Sequence, residues 1–332
     1  MTRRGELDET DVRVRPGRRG SRPRSKLRPE HADAADAMVI AVDRGRWTCA
    51  LDGDPERPVV AMRARELGRT PVVVGDIVGL VGDRSGATDT LSRIVRVNDR
   101  SSVLRRTADD GDPFERVVVA NAHQLVIVTA LADPPPRMGL IDRCVVAAFA
   151  GGLTPVLCLT KADLASPDAL LAQYADLGIP AVVSRHDEPP DALLAELTGR
   201  VSVLLGHSGV GKSTLVNALV PSADRAVGVV SAIGKGRHTS TSAVALPLPG
   251  ERAGWVVDTP GIRSFGLAHV SADDVARAFS DLAVVIDDCP RGCGHLGPPA
   301  DPECAFDGLS GVAARRAQSV RRLLLSMRGA PA

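Results

Sequence analysis

The sequence is poor in aromatic residues, in lysine and in long apolar runs. Aromatic side chains make up 2% of its 332 residues: two Trp, one Tyr and five Phe. Surfaces that hold single-stranded nucleic acid by stacking need such rings, so a stacking platform is not expected. No stretch of about 18 apolar residues occurs, which argues against a membrane span. The opening MTRRGELDET has no apolar stretch of a secretory signal, and six Cys are few for a disulfide scaffold. A cytoplasmic, reducing environment and a monomer are the expectations. At 44% hydrophobic and 24% charged residues, the composition excludes a wholly disordered chain.

Only four of the 41 basic residues are lysines. Two of them, Lys161 and Lys212, fall inside the nucleotide motifs described below. A planar guanidinium cannot replace a flexible ammonium at such sites, which is a reason for lysine to persist there. The net charge of +1 also hides an asymmetry. Residues 1–30 carry ten Lys/Arg against five acids, a net +5, so the remaining residues carry −4. Residues 1–36 therefore read as a disordered basic tail. It is either a solvated appendage or an arm for a phosphate backbone, where clustered charge gains affinity by counterion release.

Residues 37–106 hold five short strand patterns, AMVIAVD, RWTCALDG, RPVVAMRAR, GDIVGLVGD and LSRIVRV, separated by Gly, Asp or Pro. Five such strands suit a small OB-type barrel. Arg44, Arg46, Arg63, Arg65 and Arg69 could line a backbone-tracking surface on it or be ordinary surface arginines. From about residue 117, apolar strand patterns (QLVIVTAL, PVLCLT, AVVS, VSVLLG, GWVVD) alternate with helical spacing, as in a doubly wound α/β domain. The segment after 269 has a helix from Ser271, a Cys/His cluster and a basic final helix.

Residues 201–214 read VSVLLGHSGVGKST, a buried strand running into Gly206-His207-Ser208-Gly209-Val210-Gly211-Lys212-Ser213 and then a helix. Sequence and context both match a P-loop. The glycines let backbone N–H groups face a phosphate, Lys212 reaches the β- and γ-phosphates, Ser213 ligates Mg²⁺, and Thr214 bonds the α-phosphate. Thr160-Lys161-Ala162-Asp163, at a strand end, matches the guanine-reading motif of GTPases. The Asp163 carboxylate can accept from N1–H and N2–H₂ of guanine, a donor pair that adenine lacks. In VVDTPG, Asp258 would hold Mg²⁺ through water and the Gly261 N–H would face the γ-phosphate. Between these motifs lies GRHTST, whose Thr239 or Thr241 could complete the metal shell. Ile262 follows DTPG where many GTPases carry a water-orienting Gln, so a weak intrinsic enzyme that needs a partner is expected.

The motif order is unusual. The base-reading segment precedes the P-loop and DTPG follows it, so the strands must be circularly permuted. In the last segment, Cys289, Cys293, His295 and Cys304 form a C-x₃-C-x-H-x₈-C array, a donor set suited to a closed tetrahedral Zn²⁺ site. Cys49, Cys144 and Cys158 sit in apolar patterns and read as small core residues.

Together these features resemble one family, the circularly permuted ribosome-biogenesis GTPases of the RsgA (YjeQ/EngC) type, over residues 37 to 325. GRHTST is close to that family's GRHTTT. The Cys/His spacing of three, one and eight departs from the family's four, one and five. Asn121-Ala122-His123-Gln124 lacks the family's acid and is given no role. The resemblance implies a multidomain protein. Its parts are an OB-fold barrel at 37–106, an α/β circularly permuted P-loop GTPase domain at 107–268 and a small α-helical zinc-binding domain at 269–332. It implies subunit-stimulated GTP hydrolysis, late maturation of the small ribosomal subunit, contact with its rRNA, GTP-dependent release and one Zn²⁺ per chain. It offers His238 as a water-orienting residue and Ser184 as a base contact. The alternatives are an ATPase, or a nucleotide-gated RNA-binding switch with negligible turnover.

Overall fold

The computed structural model describes residues 31–68, 70–87, 89–106, 116–221, 243–250, 254–259, 267 and 270–328. Residues 1–30 of the basic tail, His238, Thr239, Thr241 and Gly261 lie outside the described residues, whereas residues 31–36 are described and Ala35 and Asp36 begin the first strand. Strands β1 (Ala35–Asp43), β2 (Arg46–Leu51), β3 (Pro58–Arg63), β4 (Ile77–Gly82) and β5 (Ser92–Val97) match the five sequence patterns. They pair in the order β1-β2-β3-β5-β4, and β4 pairs back onto β1, which closes the barrel. Alternating residues fill it: Val39, Cys49, Val59, Ala61, Val78, Leu80 and Ile94 are all fully buried, as period-2 side-chain alternation requires. Trp47 is buried too and its indole N–H donates to Val72 O at 3.0 Å. The barrel's single aromatic ring is a plug, not a stacking surface.

The register of β1 shifts between Val39 and Ala41, and past that bulge Ala41 pairs with Val244 of β12 (Val244–Pro247). The barrel therefore runs directly into the second sheet. Gly75, with φ 87°, marks a second joint: a Cβ there would lie 1.9 Å from Ala120 O. Only glycine allows this backbone approach. Strands β6 (Val103–Arg106) and β7 (Arg116–Ala120) pair beside the joint, and Asn121 donates to Gly75 O at 3.0 Å.

Strands β8 (Gln124–Ala130), β9 (Thr154–Thr160), β10 (Ala181–Val183), β11 (Val201–Leu205) and β13 (Trp255–Asp258) are parallel, in the order β10-β9-β8-β11-β13. Helices α1 (Met138–Ala150), α2 (Asp168–Tyr174), α3 (Asp191–Leu197) and α4 (Lys212–Leu219) connect them. Both faces are covered. Leu125, Ile127, Leu157, Leu159 and Val203 join one core with α1, whereas Val126, Val128, Val156 and Leu204 join another with α3 and α4. This explains why the strands read as unbroken apolar runs. The pair β6–β7 and the antiparallel strand β12 were not foreseen in the sequence. Each is only four or five residues long, too short for its hydrophobic pattern to stand out.

The last segment is helical: α5 (Ala272–Ala276), α6 (Ser280–Ala283) and α7 (Gly311–Arg328). Ser271 caps α5 through a reciprocal box with Asp274. The arginines of α7 dock it onto the GTPase domain. Arg315 meets the Asp176 carboxylate at 3.0 Å, Arg316 donates to Asp176 O at 2.9 Å, and Arg322 lies over the Tyr174 ring at 4.7 Å. Tyr174 in turn donates to the buried Asp142 at 2.7 Å, and burial raises both groups above their ordinary values. Among the described residues, no helix is long and apolar enough to cross a membrane.

Candidate nucleotide site and metal centre

Strand β11 ends at Leu205 and the chain turns at Gly206. A Cβ there would meet Val128 O at 2.5 Å, so the loop presses on β8 where no other side chain fits. Gly209 and Gly211 take φ 85° and 91°, the left-handed region that glycine enters freely. Val210 is fully buried and anchors the loop between them. Gly211 is the N-cap of α4 and brings no capping side chain, so the first-turn N–H groups of Lys212, Ser213 and Thr214 are offered to an anion. His207 turns its Nδ1 to Ser208 O at 2.9 Å.

The three motif segments converge at the C-terminal ends of the parallel strands. Lys212 Nζ donates to Asp258 Oδ1, which joins the P-loop lysine to the carboxylate that ends β13. Thr259 locks that end by donating to Leu204 O at 3.0 Å. On the other side, the Thr160 hydroxyl donates to Val210 O at 2.6 Å, tying the base-reading segment to the phosphate loop. Lys161 has φ 58° and donates to Asp133 O. Pro134, next to Asp133, sits 3.5 Å from where a Gly209 Cβ would be. The residues after β8 thus pack between the two motifs, a role that nothing in the sequence pattern signalled.

A cleft of about 330 Å³ lies here, lined by Thr160, Lys161, Asp163, Ser184, Gly211 and Thr214 among others. Ser184 is held beside the base-reading turn: its N–H donates to Leu159 O at 2.8 Å, and its carbonyl accepts from Ala162 N at 3.3 Å. Arg185 also lines the cleft, gripped by Asp187 at 3.2 Å and Glu188 at 3.1 Å. The hydrogen bond to Asp187 raises its guanidinium above the ordinary value. The segment Asn121–Gln124 is a structural joint. His123 Nδ1 accepts from Val201 N at 2.9 Å, and the buried Gln124 donates to Ser202 Oγ at 2.9 Å.

Cys289, Cys293, His295 and Cys304 come together, with their ligand atoms all within 4.8 Å of one another. His295 is buried, with Nδ1 3.5 Å from Cys289 Sγ and 3.9 Å from Cys304 Sγ. Backbone N–H groups of His295 and Ala305 point at the sulfurs of Cys293 and Cys289, each at 3.4 Å, as suits thiolates. Asp301 accepts from the Gly294 and Leu296 N–H groups and holds the loop in place of a core. Burial pushes the Cys293 thiol up to about 12 and raises Cys289, so a dication is the natural counter-charge for thiolates here. Donor type, number and spacing fit one Zn²⁺. The altered Cys/His spacing does not prevent convergence. The other three cysteines are buried core residues, as expected.

A P-loop at the end of a parallel strand, with the base-reading turn earlier in the chain and DTPG later, defines a circularly permuted P-loop GTPase. The RsgA GTPase family model matches residues 97–268. The small ribosomal subunit biogenesis GTPase RsgA of Ectopseudomonas mendocina is 43% identical over 249 residues, 70% of each chain. The protein of that name from Gemmatimonas aurantiaca is 38% identical over 279 residues, 81% of this chain and 88% of its own. Among solved structures, YjeQ from Thermotoga maritima aligns with a TM-score of 0.61 at 22% identity, covering 90% of this chain and 99% of that one. YloQ, a circularly permuted GTPase, aligns at 0.61 and 20% identity, covering 91% and 98%. The chain belongs to the RsgA GTPase family and is a GTP hydrolase of that class.

Proposed function

We propose that this chain binds GTP in the cleft beyond the C-terminal ends of β9, β10 and β11, hydrolyses it when stimulated by the small ribosomal subunit, and assists late maturation of that subunit. The observation that carries the nucleotide reading is the joining of the three motif segments at one end of the sheet, Thr160 bonded to Val210 O of the phosphate loop and Lys212 to Asp258, beside the cleft that Lys161, Asp163 and Gly211 line. The name shared by the curated relatives supports the ribosomal one. Asp163 and Ser184 read guanine, and the Lys161 stem lies on the base. Lys212 and the Gly206–Thr214 backbone hold the phosphates, with Thr214 on the α-phosphate. Ser213 and Asp258 hold Mg²⁺, with Thr239 or Thr241 completing its shell; the ion would neutralise charge developing on the β- and γ-oxygens. Gly261 N–H faces the γ-phosphate and His238 orients the attacking water, the role that Ile262 cannot fill. One Zn²⁺ sits on Cys289, Cys293, His295 and Cys304. The protein acts in the cytoplasm as a monomer, contacts rRNA, and leaves the subunit when GTP is spent.

The deciding experiment is phosphate release from GTP with and without purified small subunits. Strong stimulation supports the reading. Turnover that stays negligible in both would favour the nucleotide-gated binding switch instead.

A further inference from the structure

The metal centre rests on a residue outside its four donors. Asp273, on the first turn of α5, has Oδ1 2.8 Å from His295 Nε2. With its proton on Nε2 the ring donates to this carboxylate and leaves the Nδ1 lone pair facing the sulfurs, the tautomer that a metal-binding imidazole requires. Phe306 stacks on the same ring at 4.7 Å and 16°, and Arg321 donates to His295 O at 3.1 Å. The imidazole is thus fixed in tilt and depth. His295 itself sits at φ 56°, in the left-handed region that few non-glycine residues adopt.

We infer that Asp273 is the positioning residue of the zinc site: it orients His295 and raises the basicity of Nδ1 toward the metal. This rests on the zinc reading above.

The test uses the full chain loaded with Zn²⁺. Zinc release to a chromogenic chelator and the visible spectrum of the Co²⁺-substituted protein are measured for wild type, Asp273→Ala, Asp273→Asn and Ser271→Ala. Ser271→Ala breaks the α5 capping box but leaves the His295 contact, so it separates loss of the helix from loss of the hydrogen bond. Partners of this kind affect metal affinity by about 10–100-fold. Asp273→Ala should release zinc faster by that factor and shift the Co²⁺ bands. Asp273→Asn, which keeps an acceptor oxygen, should fall between, and Ser271→Ala should match wild type. Equal release from Asp273→Ala and wild type, or equal acceleration in Asp273→Ala and Ser271→Ala, would overturn the inference. A wild-type chain that takes up no metal would overturn the zinc reading itself, and the inference with it.

Discussion

Replacing Thr160 by Val tests whether base and phosphates are read by one rigid unit. The hydroxyl is buried at the end of β9 and donates to Val210 O at 2.6 Å, with Thr129 O also within 3.3 Å. Valine keeps the shape and the strand preference but brings no donor, so the buried Val210 carbonyl loses its partner. Leaving such a group unsatisfied costs about 1–3 kcal/mol. The loop can escape part of this by shifting its carbonyl toward water, and that shift moves the Gly209–Gly211 amides that face the phosphates. Read wholly in nucleotide affinity, the same energy is about 5- to 150-fold. GDP affinity by fluorescent-nucleotide titration and Tm with and without GDP together capture both routes. The expected result is weaker GDP binding with a modest fall in apo Tm, and recovery of both in Thr160→Ser. A Thr160→Val protein that binds GDP within twofold of wild type and melts at the same temperature would refute the reasoning.

Other perturbations probe the remaining claims. Asp163→Asn should lose guanine selectivity and gain binding of xanthine nucleotides, read by competition; unchanged selectivity would favour an ATPase. Chelation of zinc should expose Cys289, Cys293 and Cys304 to Ellman's reagent, while Cys49, Cys144 and Cys158 stay silent until the chain is denatured. Burial raises Cys49 and Cys158 to about 12 from an ordinary 9.0. Their contribution to stability is complete below the unfolded thiol value and is lost as pH rises toward 12, so urea midpoints should fall over that window and fall less in Cys158→Val. Deleting residues 1–30 should reduce the slope of log K against log salt for RNA by about 0.7 for each phosphate that the tail neutralises; an unchanged slope would make the tail a solvated appendage.

The barrel and the parallel sheet were legible because each is written as short apolar runs between turn residues. In the barrel the runs around Val39, Cys49, Leu80 and Ile94 are set off by Gly, Asp or Pro, and in the parallel sheet the stretches 125–128 and 155–159 have no polar residue. The nucleotide motifs were legible because phosphate and guanine chemistry demand particular residues at fixed spacing. What was hidden depends on contacts distant in sequence. Asp133 and Pro134 look like an ordinary proline-rich turn until Lys161 and Gly209 are seen against them. Asp273 is one of many acids until His295 turns its second nitrogen toward it. Strand β12 has four residues and is recruited by neighbours on both sides, β1 and β13, which no local pattern announces.

Charge in α7 shows why composition alone misplaces a nucleic-acid surface. Arg315, Arg316, Arg321 and Arg322 form a basic cluster in the sequence, the usual footprint of a polyanion site. In the fold Arg316, Arg321 and Arg322 are committed inward, whereas Arg315 pairs with Asp176 while staying exposed. Arg321 is 8% exposed and shared between Asp307 and His295 O, Arg316 reaches Asp281 and lies over the Phe279 ring, and Arg322 covers Tyr174. Each guanidinium that pairs with a carboxylate in this way contributes little net positive field to solvent. The helix is better understood as a clamp that fixes the segment bearing the Cys/His cluster to α1 and α2, with planar forks where lysine would give a looser grip. Arg46 on β2, by contrast, is exposed. Basic clustering in α7 is therefore no sign of a free basic face at Arg316, Arg321 and Arg322, which are spent on contacts within the fold.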